Sequence, residues 1–169
     1  MPVTRLNHAV LYVRDAERSA AFYADMLDFR RINAFPGAVF MQAPGSTNDH
    51  DLGLFTIGDG AQDSPAGSAA VGLYHLAWEV DTLAELEAVR DRLSAAGALV
   101  GASDHSTTKS LYAKDVDGIE FEVAWIVPAS LLDDAALSGR SRIERLDLSR
   151  EKARYGAETL GGIGVSLPG

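Results

Sequence analysis

Residues 109–125 read KSLYAKDVDGIEFEVAW, and they predict two short strands joined by a tight turn. Asp115–Gly118 has turn chemistry, since glycine readily adopts the positive φ that many turns require. The segment Ile119–Ile126 is rich in β-branched and aromatic residues, which is typical of a strand. The stretch therefore predicts a strand pair in a sheet.

Two carboxylates lie within the second of these strands. Because strand side chains alternate between faces, Glu120 and Glu122 share one face, while Phe121 and Val123 share the other. A carboxylate that faces inward is usually paired or binds a metal. The alternative is an edge strand whose glutamate face meets water.

Composition excludes several classes of function. The chain has 169 residues, 47% of them hydrophobic, with a net charge of −9 and no cysteine. It therefore has no disulfides and no thiolate catalysis, and its acidity argues against nucleic acid or anionic membranes as partners. No apolar run reaches the ~18 residues of a membrane span, and the N-terminus lacks a signal-peptide layout. We expect a cytoplasmic protein.

An internal duplication organises the chain. Residues 73–81, LYHLAWEVD, align with residues 6–14, LNHAVLYVR, so that His75 matches His8 at an offset of 67. Residues 4–13 predict a strand, and each copy then continues as a helix and three more strands. A repeat of this length indicates two copies of one structural unit.

The duplication predicts four segments. They are a first module over 1–60, a linker over 61–71, a second module over 72–127 and a C-terminal extension over 128–169. Within the extension we expect a helix over 147–155 and an irregular end over 161–169. The extension is either a packing or disordered tail, or an arm that covers a neighbouring subunit or the mouth of a pocket.

The histidines suggest a metal site. Of the four in the chain, His8 and His75 occupy the same position of the two copied strands, and Glu122 lies on the last strand of the second copy. Two imidazoles and one carboxylate form the facial-triad pattern, which suits Fe(II) or Mn(II). The alternative is that each histidine is an ordinary core or surface residue.

The repeat, with NHAVLYV, YHLAWEV and SLYAKDVDGIEFEV, resembles the vicinal-oxygen-chelate superfamily over residues 3–127. This superfamily includes glyoxalase I, fosfomycin- and bleomycin-resistance proteins and type I extradiol dioxygenases. The resemblance implies an α+β fold in which two tandem βαβββ modules form a curved mixed sheet around a metal, with the helices outside. It implies His8, His75 and Glu122 as ligands of Fe(II), Mn(II) or another divalent transition metal. Val116 stands where the family's turn usually has proline.

Within the superfamily, the extradiol branch fits best. Glyoxalase I uses a further carboxylate from the last strand of the first module, which here is DLGLFTI, residues 51–57, and the body of this strand offers no Glu or Asp. His50 precedes that strand, Tyr112 stands ten residues before Glu122, and His105 lies upstream in a D-H-x-x-x-x-S-x-Y context. The resemblance implies that His50 is the acid/base, that Tyr112 hydrogen-bonds a bound oxygen and that His105 orients the substrate. His50 and His105 could instead be solvated loop residues.

The resemblance implies a dioxygenase that uses O₂ to cleave a catechol-type ring beside the diol, in a homo-oligomer. One alternative is another metal-dependent member, such as a glyoxalase, an epimerase or a fosfomycin-type transferase. A second is a non-catalytic small-molecule-binding resistance protein. Apolar residues that could line a substrate pocket are equally good core residues: Phe40, Phe55, Trp78 and Trp125.

Overall fold

A computed structural model of the protein describes residue 3 and residues 5–65 and 69–162. The chain forms two units. The first comprises Met1–Pro65 together with Asp115–Ile119, and the second comprises Ala66–Lys114 together with Glu120–Gly169. No helix in the described part of the chain has the length and apolar character that a membrane span requires.

The first unit contains one βαβββ module. Its four strands form a mixed sheet in the order β1-β4-β3-β2, in which β1 is parallel to β4 and the other pairs are antiparallel. Helix α1 packs on one face of this sheet. The elements are β1 (Ala9–Val13), α1 (Ala16–Leu27), β2 (Arg30–Phe35), β3 (Ala38–Gln42) and β4 (Leu52–Thr56).

Helix α1 begins after Asp15, which caps its first turn. The Asp15 carboxylate accepts hydrogen bonds from the amides of Glu17 and Arg18, which otherwise have no partner in the first helical turn. Its buried stripe includes Tyr23 and Leu27, which form the core with the sheet. Amphipathic spacing and a capping residue thus specify this helix locally.

Strand β1 begins five residues later than the sequence suggests. The predicted strand covered residues 4–13, of which Thr4 lies outside the described residues. Ala9 pairs with Leu52 at the first position of β4, and its amide donates to the Asp51 carbonyl at 2.9 Å. Before Leu52 the neighbouring chain is a loop, so residues upstream of Ala9 have no strand to pair with.

The second unit repeats the module. Its elements are β5 (Leu76–Glu79), α2 (Leu83–Ala95), β6 (Leu99–Asp104), β7 (Thr108–Lys114) and β8 (Glu120–Ile126). The sheet order is β5-β8-β7-β6-β9, again with the first and last strands of the module parallel. Thr82 and Glu85 form a capping box at the start of α2. The α+β fold with tandem βαβββ modules is therefore confirmed.

Side chains of β8 alternate in burial as the sequence predicts. Phe121, Val123 and Trp125 are almost fully buried, whereas Glu120 and Glu122 lie on the other face and are half-buried. The buried face packs against α2. One face of this sheet therefore forms the core, and the other presents polar groups.

The C-terminal extension packs on the second unit. It contains α3 (Asp134–Ser138), β9 (Glu144–Arg145) and α4 (Leu148–Tyr155), which confirms the predicted helix. Strand β9 pairs with β6, and Trp125 Nε1 donates to the Thr159 carbonyl at 3.2 Å. Residues 163–169 of the predicted irregular end, and residues 66–68 of the predicted linker, lie outside the described residues.

Candidate functional site

Both repeated histidines lie immediately before the first strand of their module. His8 precedes β1 at Ala9, and His75 precedes β5 at Leu76, so the structural repeat keeps the offset seen in the sequence. The ring of His75 is half-buried, whereas His8 is exposed. The two modules therefore present an imidazole at equivalent places.

In the second unit, His75 meets Glu122. Its Nε2 lies 3.0 Å from Glu122 Oε2, and the glutamate side chain is only 13% exposed. The other carboxylate oxygen, Oε1, accepts a hydrogen bond from Ser110 Oγ at 2.5 Å. Both oxygens of Glu122 therefore have a partner, and one of the two faces an imidazole nitrogen.

Tyr112 and His105 lie on the same side of this sheet. Tyr112 is directly opposite Glu122 in the pairing of β7 with β8. Its hydroxyl and His105 Nε2 are hydrogen-bonded at 2.9 Å. Burial and the charge of Glu122 raise the pKa of Tyr112, although the neighbouring Ser110 hydroxyl acts in the opposite direction. At neutral pH this phenol is a hydrogen-bond donor.

In the first unit, His8 meets His50. Their ring centroids are 4.4 Å apart, and His50 also packs edge-on against Phe40 at 5.2 Å. His50 Nδ1 is 2.9 Å from the carboxylate of the exposed Asp49. His50 therefore has an aromatic wall on one side and a carboxylate partner on the other.

Asp51 holds the loop that presents His50. Its carboxylate accepts hydrogen bonds from the Ala43 amide at 2.9 Å, the Ser46 hydroxyl at 2.8 Å and the Asn48 side chain at 2.7 Å. A buried carboxylate with three donors is a stable centre for an irregular segment. The loop conformation around His50 is therefore specified by its neighbour in sequence.

A cavity of about 720 Å³ opens beside His50 in the first unit. Ile32, Phe35 and Phe40 form its apolar wall, and Gln42 and Asn48 are among its polar groups. The three rings of Phe35, Phe40 and Phe55 form a cluster with centroids 5.7 to 6.2 Å apart. A pocket with an aromatic wall and a few polar groups is typical of a small-molecule site.

The structure brings the predicted site residues together in pairs. His75 contacts Glu122, His105 contacts Tyr112, and His8 contacts His50. Within residues 3, 5–65 and 69–162, no group of three or more His, Cys, Asp or Glu side chains is arranged to hold a metal ion. The three-ligand set with His8 therefore stays a prediction.

Comparisons with known proteins agree with this fold. Residues 5–123 match the family model described as the glyoxalase/bleomycin resistance protein/dioxygenase superfamily. The chain belongs to this superfamily. That assignment confirms the resemblance inferred from the two repeats and the D-V-D-G hairpin.

Relatives within the superfamily differ in their activities. A catechol-2,3-dioxygenase of Bacillus subtilis (strain 168) is 29% identical over 120 residues, which cover 71% of this chain and 41% of that protein. The chain therefore spans less than half the length of this curated relative.

Two solved structures of the superfamily show the same fold. A glyoxylase/bleomycin resistance protein/dioxygenase domain from Frankia sp. EAN1pec superposes with a TM-score of 0.61 at 23% identity, covering 73% of this chain and 92% of that one. The genomically encoded fosfomycin resistance protein FosX from Listeria monocytogenes, complexed with Mn(II) and a sulfate ion, gives a TM-score of 0.54 at 19% identity, covering 72% and 90%. Members of the superfamily thus include metal-binding proteins.

The donor set in the second unit fits a divalent metal. An imidazole nitrogen and a carboxylate oxygen 3.0 Å apart, both partly shielded from water, are ligand types that Fe, Mn and Zn accept. His75 Nδ1 is buried and has no hydrogen-bond partner among the described residues, so only Nε2 faces a charged group. His75 and Glu122 would hold the metal in this unit, with His8 as the predicted third ligand.

Sequence reasoning gave no role to two residues that the site uses. Ser110 lies within the D-H-x-x-x-x-S-x-Y context, two residues before Tyr112 and on the same face, which was the available signal. Asp51 follows His50 directly, but nothing in the sequence indicates that its side chain binds three donors. The four apolar residues that could line a substrate pocket lie in different environments. Trp125 is core, Trp78 is half-buried, and Phe40 and Phe55 lie in the aromatic cluster beside the cavity.

Proposed function

We propose that the protein is a metal-dependent dioxygenase that cleaves a catechol-type ring beside the diol, using O₂. The metal ligands are His8, His75 and Glu122, and Fe(II) is the preferred ion, with Mn(II) or another divalent transition metal as alternatives. The observation that supports this best is the row of contacts in the second unit. There Glu122 touches His75, and Tyr112 lies opposite Glu122 and is hydrogen-bonded to His105.

A divalent metal bound there would supply a Lewis acid and a template for two vicinal oxygens and O₂. Tyr112 donates its hydroxyl hydrogen to a substrate oxygen, since its raised pKa keeps the phenol protonated at neutral pH. For this, His105 Nε2–H donates to the phenol oxygen at 2.9 Å, so that the one hydroxyl hydrogen is available to the substrate. His105 thus orients the Tyr112 hydroxyl, and the charge of Glu122 contributes to its raised pKa.

His50 is the proposed acid/base. Imidazoles accept and return protons near neutral pH, which suits a reaction in which a phenolic proton must leave. Asp49 orients the ring through Nδ1, which leaves Nε2 for the substrate. Phe35 and Phe40 offer the apolar wall against which an aromatic ring would pack.

We also propose a homo-oligomer. Strand β2 lies at an edge of the first sheet, where it pairs with β3 on one side. An edge strand presents backbone groups with which a strand of a second copy can pair. Light scattering coupled to gel filtration should give a mass that is a multiple of 18.0 kDa, and a mass of one chain at all concentrations contradicts the proposal.

Ring cleavage is tested with the protein loaded anaerobically with Fe(II) or Mn(II). A panel of catechols is added, air is admitted, and O₂ uptake and semialdehyde absorbance are recorded. We expect both signals with at least one catechol, and none with His75→Ala. No uptake and no product across the panel would reject the function.

The same protein preparations distinguish the proposed dioxygenase from two alternative functions. Another metal-dependent reaction needs the metal ligands but not His50. His50→Ala should therefore lose ring cleavage if the protein is a dioxygenase, whereas the activity of another metal-dependent enzyme need not change. A non-catalytic binding protein needs no metal. Stoichiometric transition metal in protein purified without chelator would therefore disfavour a binding protein. Glyoxalase chemistry is disfavoured by β4, which has no carboxylate between Leu52 and Thr56.

A further inference from the structure

We propose that Ser110 is a positioning residue that fixes the carboxylate of Glu122 for metal binding. This inference rests on the proposed function, because it takes Glu122 as a ligand. It concerns a residue that touches neither the substrate nor the metal. Its action is exerted through the glutamate alone.

The contacts of Glu122 divide its two oxygens between different partners. Ser110 Oγ donates to Oε1 at 2.5 Å, and His75 Nε2 lies 3.0 Å from Oε2. A carboxylate with one oxygen held by a donor cannot rotate freely about its last bond. Oε2 of Glu122 therefore stays beside His75, while Oε1 is occupied by the Ser110 hydroxyl.

Ser110 is fully buried, which makes its hydroxyl informative. A buried hydroxyl without a partner costs free energy, so strands rarely keep one in place of alanine unless it is hydrogen-bonded. The partner here is a charged oxygen, and hydrogen bonds to charged acceptors are about twice as strong as neutral ones. The serine thus has a specific acceptor, and that acceptor is the proposed ligand.

Ser110 also neighbours the proposed catalytic phenol. It stands two residues before Tyr112 on β7, so both side chains lie on one face, and its hydroxyl opposes the rise in the pKa of Tyr112. One hydroxyl thus borders both the ligand and the hydrogen-bond donor. Partners of metal ligands in such places typically change metal affinity about 10- to 100-fold when removed.

The test measures Co(II) binding to the full-length protein by visible absorption, in competition with a chelator. Ser110→Ala should weaken Co(II) binding about 10- to 100-fold and shift the absorption bands, because the carboxylate is no longer held. Ser110→Thr keeps a hydroxyl and should bind within about threefold of the wild type. Ser19→Ala is the matched control, since Ser19 is equally buried but its hydroxyl has no hydrogen-bond partner in the described part of the chain.

Each outcome decides between the proposals. If Ser110→Ala binds Co(II) like the wild type while Glu122→Gln does not, the positioning role is wrong and the metal site stands. If the wild type and Glu122→Gln bind Co(II) equally, the proposed function fails and the inference fails with it. If Ser110→Ala does not fold, the comparison is made between Ser110→Val and Ser110→Thr, which have nearly the same shape and differ in the hydroxyl. Equal Co(II) binding by these two variants overturns the role.

Discussion

Tyr112 lies directly opposite Glu122 where β7 pairs with β8, and its hydroxyl is hydrogen-bonded to His105. The two residues are ten apart in sequence, and the D-V-D-G turn makes them neighbours across the hairpin. Antiparallel neighbours have Cβ atoms about 4.5 to 5.5 Å apart, so the phenol and the carboxylate share one surface. The hairpin therefore places a phenol beside the carboxylate that we propose as a metal ligand.

Removing the Tyr112 hydroxyl should slow ring cleavage without releasing the metal. For Tyr112→Phe we expect kcat to fall about 100-fold or more, because one donor to a developing negative oxygen is lost. Steady-state kinetics gives the rate, and Co(II) titration checks the metal. Tyr155→Phe is the control, since that buried hydroxyl has no hydrogen-bond partner within the residues that the structure describes. Equal losses in both variants would contradict the role of Tyr112.

His50→Ala should abolish proton transfer while leaving metal binding intact. We expect kcat for ring cleavage to fall about 10²- to 10⁴-fold, the usual contribution of a general acid or base. Asp49→Asn, which removes a charge from the exposed partner of His50, should have a smaller effect. The pH profiles of kcat for the three proteins provide the measurement. A His50→Ala enzyme with the wild-type rate would exclude this residue as the acid/base.

Glu122→Gln should lose the metal, and Glu120→Gln should keep it. Both glutamates lie on the same face of β8, but only Glu122 contacts His75. We expect at least about a 100-fold weaker affinity for Glu122→Gln, which exceeds the usual loss when a supporting partner is removed. Isothermal calorimetry with Mn(II) measures it. Similar affinities for the two variants would mean that Glu122 is not a ligand.

Breaking the buried ion pair of Lys109 should destabilise the protein. Lys109 Nζ lies 2.9 Å from Glu151 Oε2 in α4, and both side chains are 1% exposed. Lys109→Met removes the buried cation from Asp104 and Glu151 and leaves them only the half-exposed Arg150, so the free energy of unfolding should fall by about 3 kcal/mol. Urea denaturation measures it, with Arg31→Met as control.

The control removes an exposed ion pair with Glu17, whose partners are 49% and 62% exposed. Its loss should change the free energy of unfolding by about 1 kcal/mol at most. If Lys109→Met costs no more than this control, the ion pair does not hold the C-terminal extension in place.

Asp104 should make stability depend on pH in the acid range. Burial acts to raise its pKa, but the Lys109 hydrogen bond, the Ser106 amide and the charges of Lys109 and Arg150 together lower it. A carboxylate whose pKa is lower in the folded state stabilises the fold above its unfolded pKa of about 3.9, and this stabilisation is lost as the pH falls through the folded value. Wild type and Asp104→Asn should therefore differ most above about pH 5 and converge at lower pH. Urea midpoints from pH 7 to pH 3 test this, and a constant difference would contradict it.

The sequence alone specified what depends on local pattern. Period-two alternation separated Glu122 from Phe121 and Val123, a capping box began α2 at Thr82, and the offset of 67 identified two modules with matching histidines. The first two features need only neighbouring residues, because side-chain direction and helix capping are set within a few positions of the chain. The repeat is found by aligning one stretch of the sequence with another, which requires no knowledge of the fold.

The tertiary structure decided what depends on register and on packing between distant segments. It paired Ser110 with Glu122, placed the ring of His50 against Phe40, and joined Lys109 to Glu151 across 42 positions. It also began β1 at Ala9, where the partner strand begins. No local pattern encodes such contacts, because the free energy of each depends on which atoms the rest of the fold brings within a few ångströms.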